Sequence, residues 1–182
     1  MSPTASAWPT PPPARVHLSR QWIPEGDAGI AATLGVMRDL IRQGAIHPDV
    51  RRAAVEATAY LSHSDQAGEV DAVADWILAR TDYRPDPLLS EWLQEPWAVL
   101  GEIERGERPA LDCDDLVILS LSMLGAIGFE TALQVVATRP DRQLDHVYGM
   151  VRIAGRWEAL DLTLGFSGGP PGPEYRAEMV AV

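Results

Sequence analysis

A single cysteine, Cys113, stands in the run Leu-Asp-Cys-Asp-Asp-Leu, at the head of the most apolar stretch of the chain. A thiol attacks carbonyls well once it is ionised. The start of a helix favours that form through unpaired N–H groups and the positive end of the helix dipole. Asp112 is placed to cap such a helix, while Asp114 and Asp115 oppose the thiolate electrostatically. His146 and Asp161 are the other two chemical types a thiol nucleophile needs, a base and a carboxylate that orients it. They flank two strand-like segments, Val147–Ile153 and Trp157–Leu160, joined by a short Ala-Gly-Arg link. With so short a turn, residues 146 and 161 fall roughly opposite each other at the open end of an antiparallel pair. Each residue also has a plainer role open to it. Cys113 suits a small buried core position, His146 a strand edge and Asp161 a strand-end cap.

The elements that must position these residues follow from periodicity. Asp27 reads as the cap of a first helix with Ile30, Leu34, Met37 and Ile41 on one face, ended by Gly44. Pro48 suits the first turn of a second helix, whose inner stripe is Val50, Ala54, Ala57 and Leu61. A third spans about 66–80 and buries Val70, Val73 and Ile77, before TDYRPDP stops helix formation. A shorter helical segment over 88–100 is interrupted near Pro96. From 112 to 126 almost no polar face remains, so that helix belongs in the middle of the fold, with Gly128 ending it. Strand patterns follow at Thr131–Thr138 and in the His/Asp hairpin. The fold class is therefore α+β: a helical N-terminal half, then a central buried helix starting at the cysteine, packed on a small antiparallel sheet. The expected organisation is a proline-rich arm over 1–26, a domain over 27–166, and a Gly/Pro-rich loop and tail over 167–182.

Composition removes several function classes. The 182 residues carry 15 Lys and Arg against 26 Asp and Glu, a formal net charge of −11, and no basic cluster. That argues against nucleic-acid binding. One cysteine permits no intrachain disulfide, which favours a reducing, cytoplasmic setting. The N-terminus lacks a signal-peptide core, and Leu116–Phe129 is too short to cross a bilayer, so membrane insertion is not expected. His17, His47 and His63 have no ligand-like spacing, so neither a metal nor another cofactor is expected. Ser62–Asp65 holds Ser, His and Asp too close together to converge as a triad. Gly168-Gly169-Pro170 has no following helix and lysine, so it is no phosphate loop. Trp8 and Trp22 are natural anchors if the arm packs on an assembly partner, and equally suit the domain's own surface.

The order of these parts resembles the transglutaminase-like superfamily, which has a papain-like core. That core runs as a cysteine with a following acidic pair and apolar helix, a glycine-bounded strand, then His-Val, a hairpin, a Trp and Asp-x-Thr. Here the parts are DCDDLVILSLSMLGAIGF, TALQVV, DHVYGMVRIAGRW and ALDLT, spread over residues 111–163. Upstream, YRPDPLLSEWLQEPWAVL is similar to an Asp-Pro … Gln-x-Pro run of small bacterial and bacteriophage members. The resemblance implies catalytic roles for Cys113, His146 and Asp161. By position it makes Gln94 the oxyanion-hole candidate and Trp97 a weaker one. Two features depart from the pattern: Leu111 stands where members usually have Gly, and TALQVV lacks the Arg many carry.

The activity so implied is a thiol-dependent amide-bond hydrolase or acyl transferase working through a thioester. Hydrolysis is favoured over transfer to an amine, because small prokaryotic relatives are regarded as proteases. The substrate is a protein or peptide, with a peptidoglycan cross-bridge among the candidates. The alternative is a bacteriophage virion or assembly protein that uses the fold as a scaffold.

Overall fold

The structure, a computed structural model, describes residues 26–62, 64–85, 92–167 and 173–182. The arm expected over 1–26 lies outside these apart from Gly26, as do His17, His63 and residues 88–91, the start of the helical segment expected over 88–100.

Among the described residues, five helices build the N-terminal two thirds. α1 (Asp27–Ala45) buries Leu34, Met37 and Ile41, the expected stripe. Its N-cap is Gly26, at φ 70°, and Asp27 is the first helical residue, one place from the expected cap. α2 (Pro48–Thr58) starts on its proline, and the His47 ring accepts the Asp49 N–H at 3.3 Å. α3 (Gln66–Leu78) is capped by Asp65, which takes the Gly68 N–H at 3.0 Å. α4 (Pro96–Glu104) begins at the proline expected to interrupt a longer helix. α5 (Cys113–Ala126) is buried on nearly every side, and Leu116, Ile118, Leu119, Leu121, Met123 and Leu124 are at most 1% exposed. Each such side chain stabilises the fold by roughly 1.5–3 kcal/mol before its entropy is counted.

Gly44 lies inside α1 and does not end it. A Cβ there would stand 2.4 Å from Ser122 Oγ and 2.8 Å from Pro96 Cγ. Close approach of α4 and α5 to α1, not capping, requires glycine at this position.

Two-residue strands β1 (Asp82–Tyr83) and β2 (Ala110–Leu111) pair in parallel just ahead of α5. Beyond α5 come β3 (Thr131–Ala137), β4 (His146–Ile153), β5 (Arg156–Leu160), the short α6 (Thr163–Ser167) and β6 (Arg176–Ala181). The sheet is antiparallel in the order β5-β4-β3-β6. Val147, Gly149 and Val151 form the buried face of β4. Gly149 lets Leu121 of α5 settle on the strand, since a Cβ would meet Leu121 Cδ2 at 2.8 Å. The β4–β5 turn holds Ala154 at φ 48° and Gly155 at φ 83°, the positive pair of a tight hairpin.

β6 corrects the expectation of a plain C-terminal tail, because Arg176–Ala181 pairs with β3 along its whole length. An edge strand with largely exposed residues on both faces has no clear apolar alternation to betray it. No helix among the described residues is long and apolar enough to cross a membrane.

Candidate active site

Cys113 is the first residue of α5. The N-cap Asp112 accepts the N–H groups of Asp114 at 3.0 Å and Asp115 at 3.2 Å through Oδ1. This capping leaves the Cys113 N–H outside the Asp112 grip. The thiol is free and partly buried, and its S–H donates to Asp114 Oδ1 at 3.4 Å. Burial pushes its pKa far above the ordinary 9.0, and the negative charges of Asp114 and Asp112 push it further. The Val147 backbone N–H acts in the opposite direction. At rest the group is therefore a neutral thiol: desolvation and two carboxylates outweigh the helix terminus.

The other half of the site is built on the β4–β5 hairpin. The loop before β4 is clasped by Asp145, whose Oδ1 accepts the Thr138 N–H at 2.7 Å, with Arg139 on its other oxygen at 2.8 Å. This clasp fixes where His146 begins the strand, opposite Val136. His146 Nε2 lies 2.8 Å from Asp161 Oδ2. The other carboxylate oxygen accepts the Thr163 hydroxyl at 2.6 Å and its N–H at 3.0 Å. Burial raises the Asp161 pKa, but the hydrogen bonds of His146 and Thr163 outweigh it, so the group titrates below the usual carboxylate range. The contact is not the direct cross-strand pair expected. The last β4–β5 pair is Gly149↔Leu160, and continuing that register sets Asp161 level with Tyr148. His146 is thus reached on the diagonal, within range of two long side chains.

With Nε2 held by Asp161, Nδ1 is the His146 ring nitrogen that this carboxylate leaves unengaged.

Gln94, the expected oxyanion-hole candidate, has its side-chain amide engaged within the fold. Its Nε2 donates to Asp115 Oδ2 at 2.7 Å and to the Ala110 carbonyl at 3.1 Å, which uses both amide hydrogens. Its backbone N–H donates to Asp115 Oδ1 at 2.8 Å. Gln94 therefore clasps the first turn of α5. Trp97 stacks on His47, with ring centroids 5.0 Å apart. Leu111, where family members usually have Gly, is fully buried and pairs with Tyr83.

Tyr83 was not legible as a site residue. Burial raises its pKa, and electrostatic interactions with Cys113, Asp112 and Asp161 raise it further, so the phenol lies within electrostatic range of all three. Its approach depends on the β1–β2 pairing, for which two-residue strands give no sequence signal.

No protein-family model and no curated protein matches the chain. Solved structures do. A putative protease from Parabacteroides distasonis matches at TM-score 0.50 and 15% identity, over 79% of this chain and 31% of its own. The fold is transglutaminase-like. Calcium-bound LapG of Legionella pneumophila is similar at TM-score 0.49 and 15% identity, over 81% of this chain and 87% of its own. A Cytophaga hutchinsonii protein described as a cysteine protease of the same provisional kind has TM-score 0.45 and 13% identity, over 73% of this chain and 50% of its own. The chain thus spans half or less of the length of the Parabacteroides and Cytophaga proteins.

Proposed function

We propose that this chain is a thiol-dependent amide-bond hydrolase acting on a protein or peptide. The observation that carries the reading is the 2.8 Å contact of His146 Nε2 with Asp161, on a hairpin whose Val147 backbone N–H is close enough to the Cys113 thiol to lower its pKa. A His–carboxylate pair beside a thiol at a helix start is the arrangement nucleophilic acyl transfer needs. Proteolytic neighbours of the same fold agree with it.

In this reading His146 Nδ1 takes the thiol proton as Cys113 Sγ bonds to the carbonyl carbon. The carbonyl oxygen becomes an oxyanion facing the Cys113 N–H at the positive end of α5. Asp161 stabilises the imidazolium that results. His146 then gives its proton to the departing amine, the C–N bond breaks, and a thioester remains on Cys113. Water, deprotonated by His146, attacks the thioester; the acid leaves and the thiol is restored. Because the resting thiol is neutral, proton transfer accompanies attack and does not precede it.

The test is a defined peptide library incubated with the full chain and read by mass spectrometry. Cleavage that disappears in Cys113→Ala and His146→Ala supports hydrolysis; incorporation of an added amine in place of cleavage makes the chain a transferase. The buried, carboxylate-flanked thiol is the observation that favours a second reading, an assembly scaffold that keeps the fold. A library left intact, together with a defined higher-order assembly in light scattering, would select that reading.

A further inference from the structure

A second feature lies away from the thiol, between α1 and β6. A cleft of about 250 Å³ separates the α1 stripe bearing Ile30, Leu34 and Arg38 from the β6 face bearing Arg176, Glu178 and Val180. Leu144 of the β3–β4 loop closes part of it. Its walls are mostly hydrocarbon, yet Arg38 Nε is buried and has no hydrogen-bond partner. Arg176 is different, since its Nε donates to Glu178 at 2.9 Å. One guanidinium in the cleft is thus neutralised and one is not.

An arginine stays charged at any ordinary pH, and a buried N–H on it demands an acceptor. Its planar fork matches a carboxylate in two parallel hydrogen bonds. In a chain of net charge −11, a half-buried arginine whose Nε is buried without an acceptor beside an apolar wall is not explained by general surface charge. The volume falls below the roughly 300–1,000 Å³ of drug-sized sites, so the occupant is small.

We propose that this cleft binds a carboxylate carried on a short apolar chain. The carboxylate meets Arg38, and the hydrocarbon lies against Ile30, Leu34, Leu144 and Val180. Two sources share that chemistry: a free aliphatic acid, and the C-terminus of a peptide ending in an apolar residue. The proposal uses no residue of the thiol site and stands or falls independently of the hydrolase reading.

Calorimetric titration of the full chain tests it, with octanoate, N-acetyl-leucine and the uncharged N-acetyl-leucinamide as probes. At least one acid should bind saturably at one site per chain, and at least tenfold more tightly than the amide. Arg38→Met should weaken that acid at least tenfold. Tighter octanoate identifies the aliphatic source, and tighter N-acetyl-leucine the peptide C-terminus. The proposal is overturned if neither acid saturates, if the amide binds as well as the acid, or if folded Arg38→Met keeps the wild-type affinity. Should Arg38→Met fail to fold, the acid-against-amide comparison on the wild type decides alone.

Discussion

Burial first, and the Asp114 carboxylate after it, hold the Cys113 thiol in its neutral form, and Asp114→Asn should release part of that hold. The S–H donates to Asp114 Oδ1 at 3.4 Å, and the carboxylate, on a residue 6% exposed, is poorly screened by water. Two unit charges about 4 Å apart repel by ~4 kcal/mol at an effective dielectric of about 20. Relaxation of the side chain will remove much of that. If a third remains, the thiol pKa falls by about one unit, at 1.36 kcal/mol per unit. Asn keeps the shape and an oxygen to accept the S–H, so the change is chiefly one of charge. The reactive species is the thiolate, and its fraction at fixed pH rises about tenfold for each unit the pKa falls. Iodoacetamide alkylation at pH 8, followed by intact mass, should therefore be about tenfold faster in Asp114→Asn. The variant should lose a few tenths of a kcal/mol of stability, because an acidic group leaves the first turn of α5. Equal or slower alkylation in a folded variant would refute this account of the thiol.

Three further outcomes follow from the packing and the pKa shifts. Gln94→Ala removes one donor from the Asp115 carboxylate, on a residue 3% exposed, and one from the Ala110 carbonyl, and should cost about 2 kcal/mol in urea unfolding. Unchanged stability with a lost turnover would instead return Gln94 to the oxyanion. Gly44→Ala forces a Cβ to 2.4 Å from Ser122 Oγ and should destabilise by about 1–3 kcal/mol, with an unchanged melting temperature as the contrary result. Asp161 has a folded pKa below its ordinary 3.8, so its stabilisation is complete above about pH 4 and is lost as pH falls through the folded value. The melting-temperature gap between wild type and Asp161→Asn should accordingly be constant near neutrality and close in more acid solution. A gap that widens with acid would contradict the cited direction.

Much of this site was legible because its parts are local. Cys113 sits at the junction of a capping Asp112 and an all-apolar helix, and periodicity finds both. His146 and Asp161 are tied by one hairpin, whose short link implies proximity; the two-residue diagonal offset escaped because the sequence does not fix register at a strand end. What could not be read depends on distant parts of the chain meeting. The hydrogen bonds of Gln94 are of this kind, since its amide hydrogens go to Asp115 and to Ala110, groups that only the fold brings to it. Tyr83 arrives through a two-residue parallel ladder. β6 was missed because exposed edge residues need not alternate, and Gly44 was taken for a helix end when its lack of a Cβ serves packing.

Acylation of the thiol tests the central claim most directly. The full chain is mixed with p-nitrophenyl acetate and followed by intact mass and peptide mapping. The account predicts one acetyl group, on Cys113, that forms quickly and is then released by water. Cys113→Ala should take up none there, and His146→Ala should both gain and lose it at least a hundredfold more slowly, within the range general acid–base catalysis contributes. A wild-type chain that stays unacetylated at Cys113, or a His146→Ala chain that turns over as fast as the wild type, would contradict it.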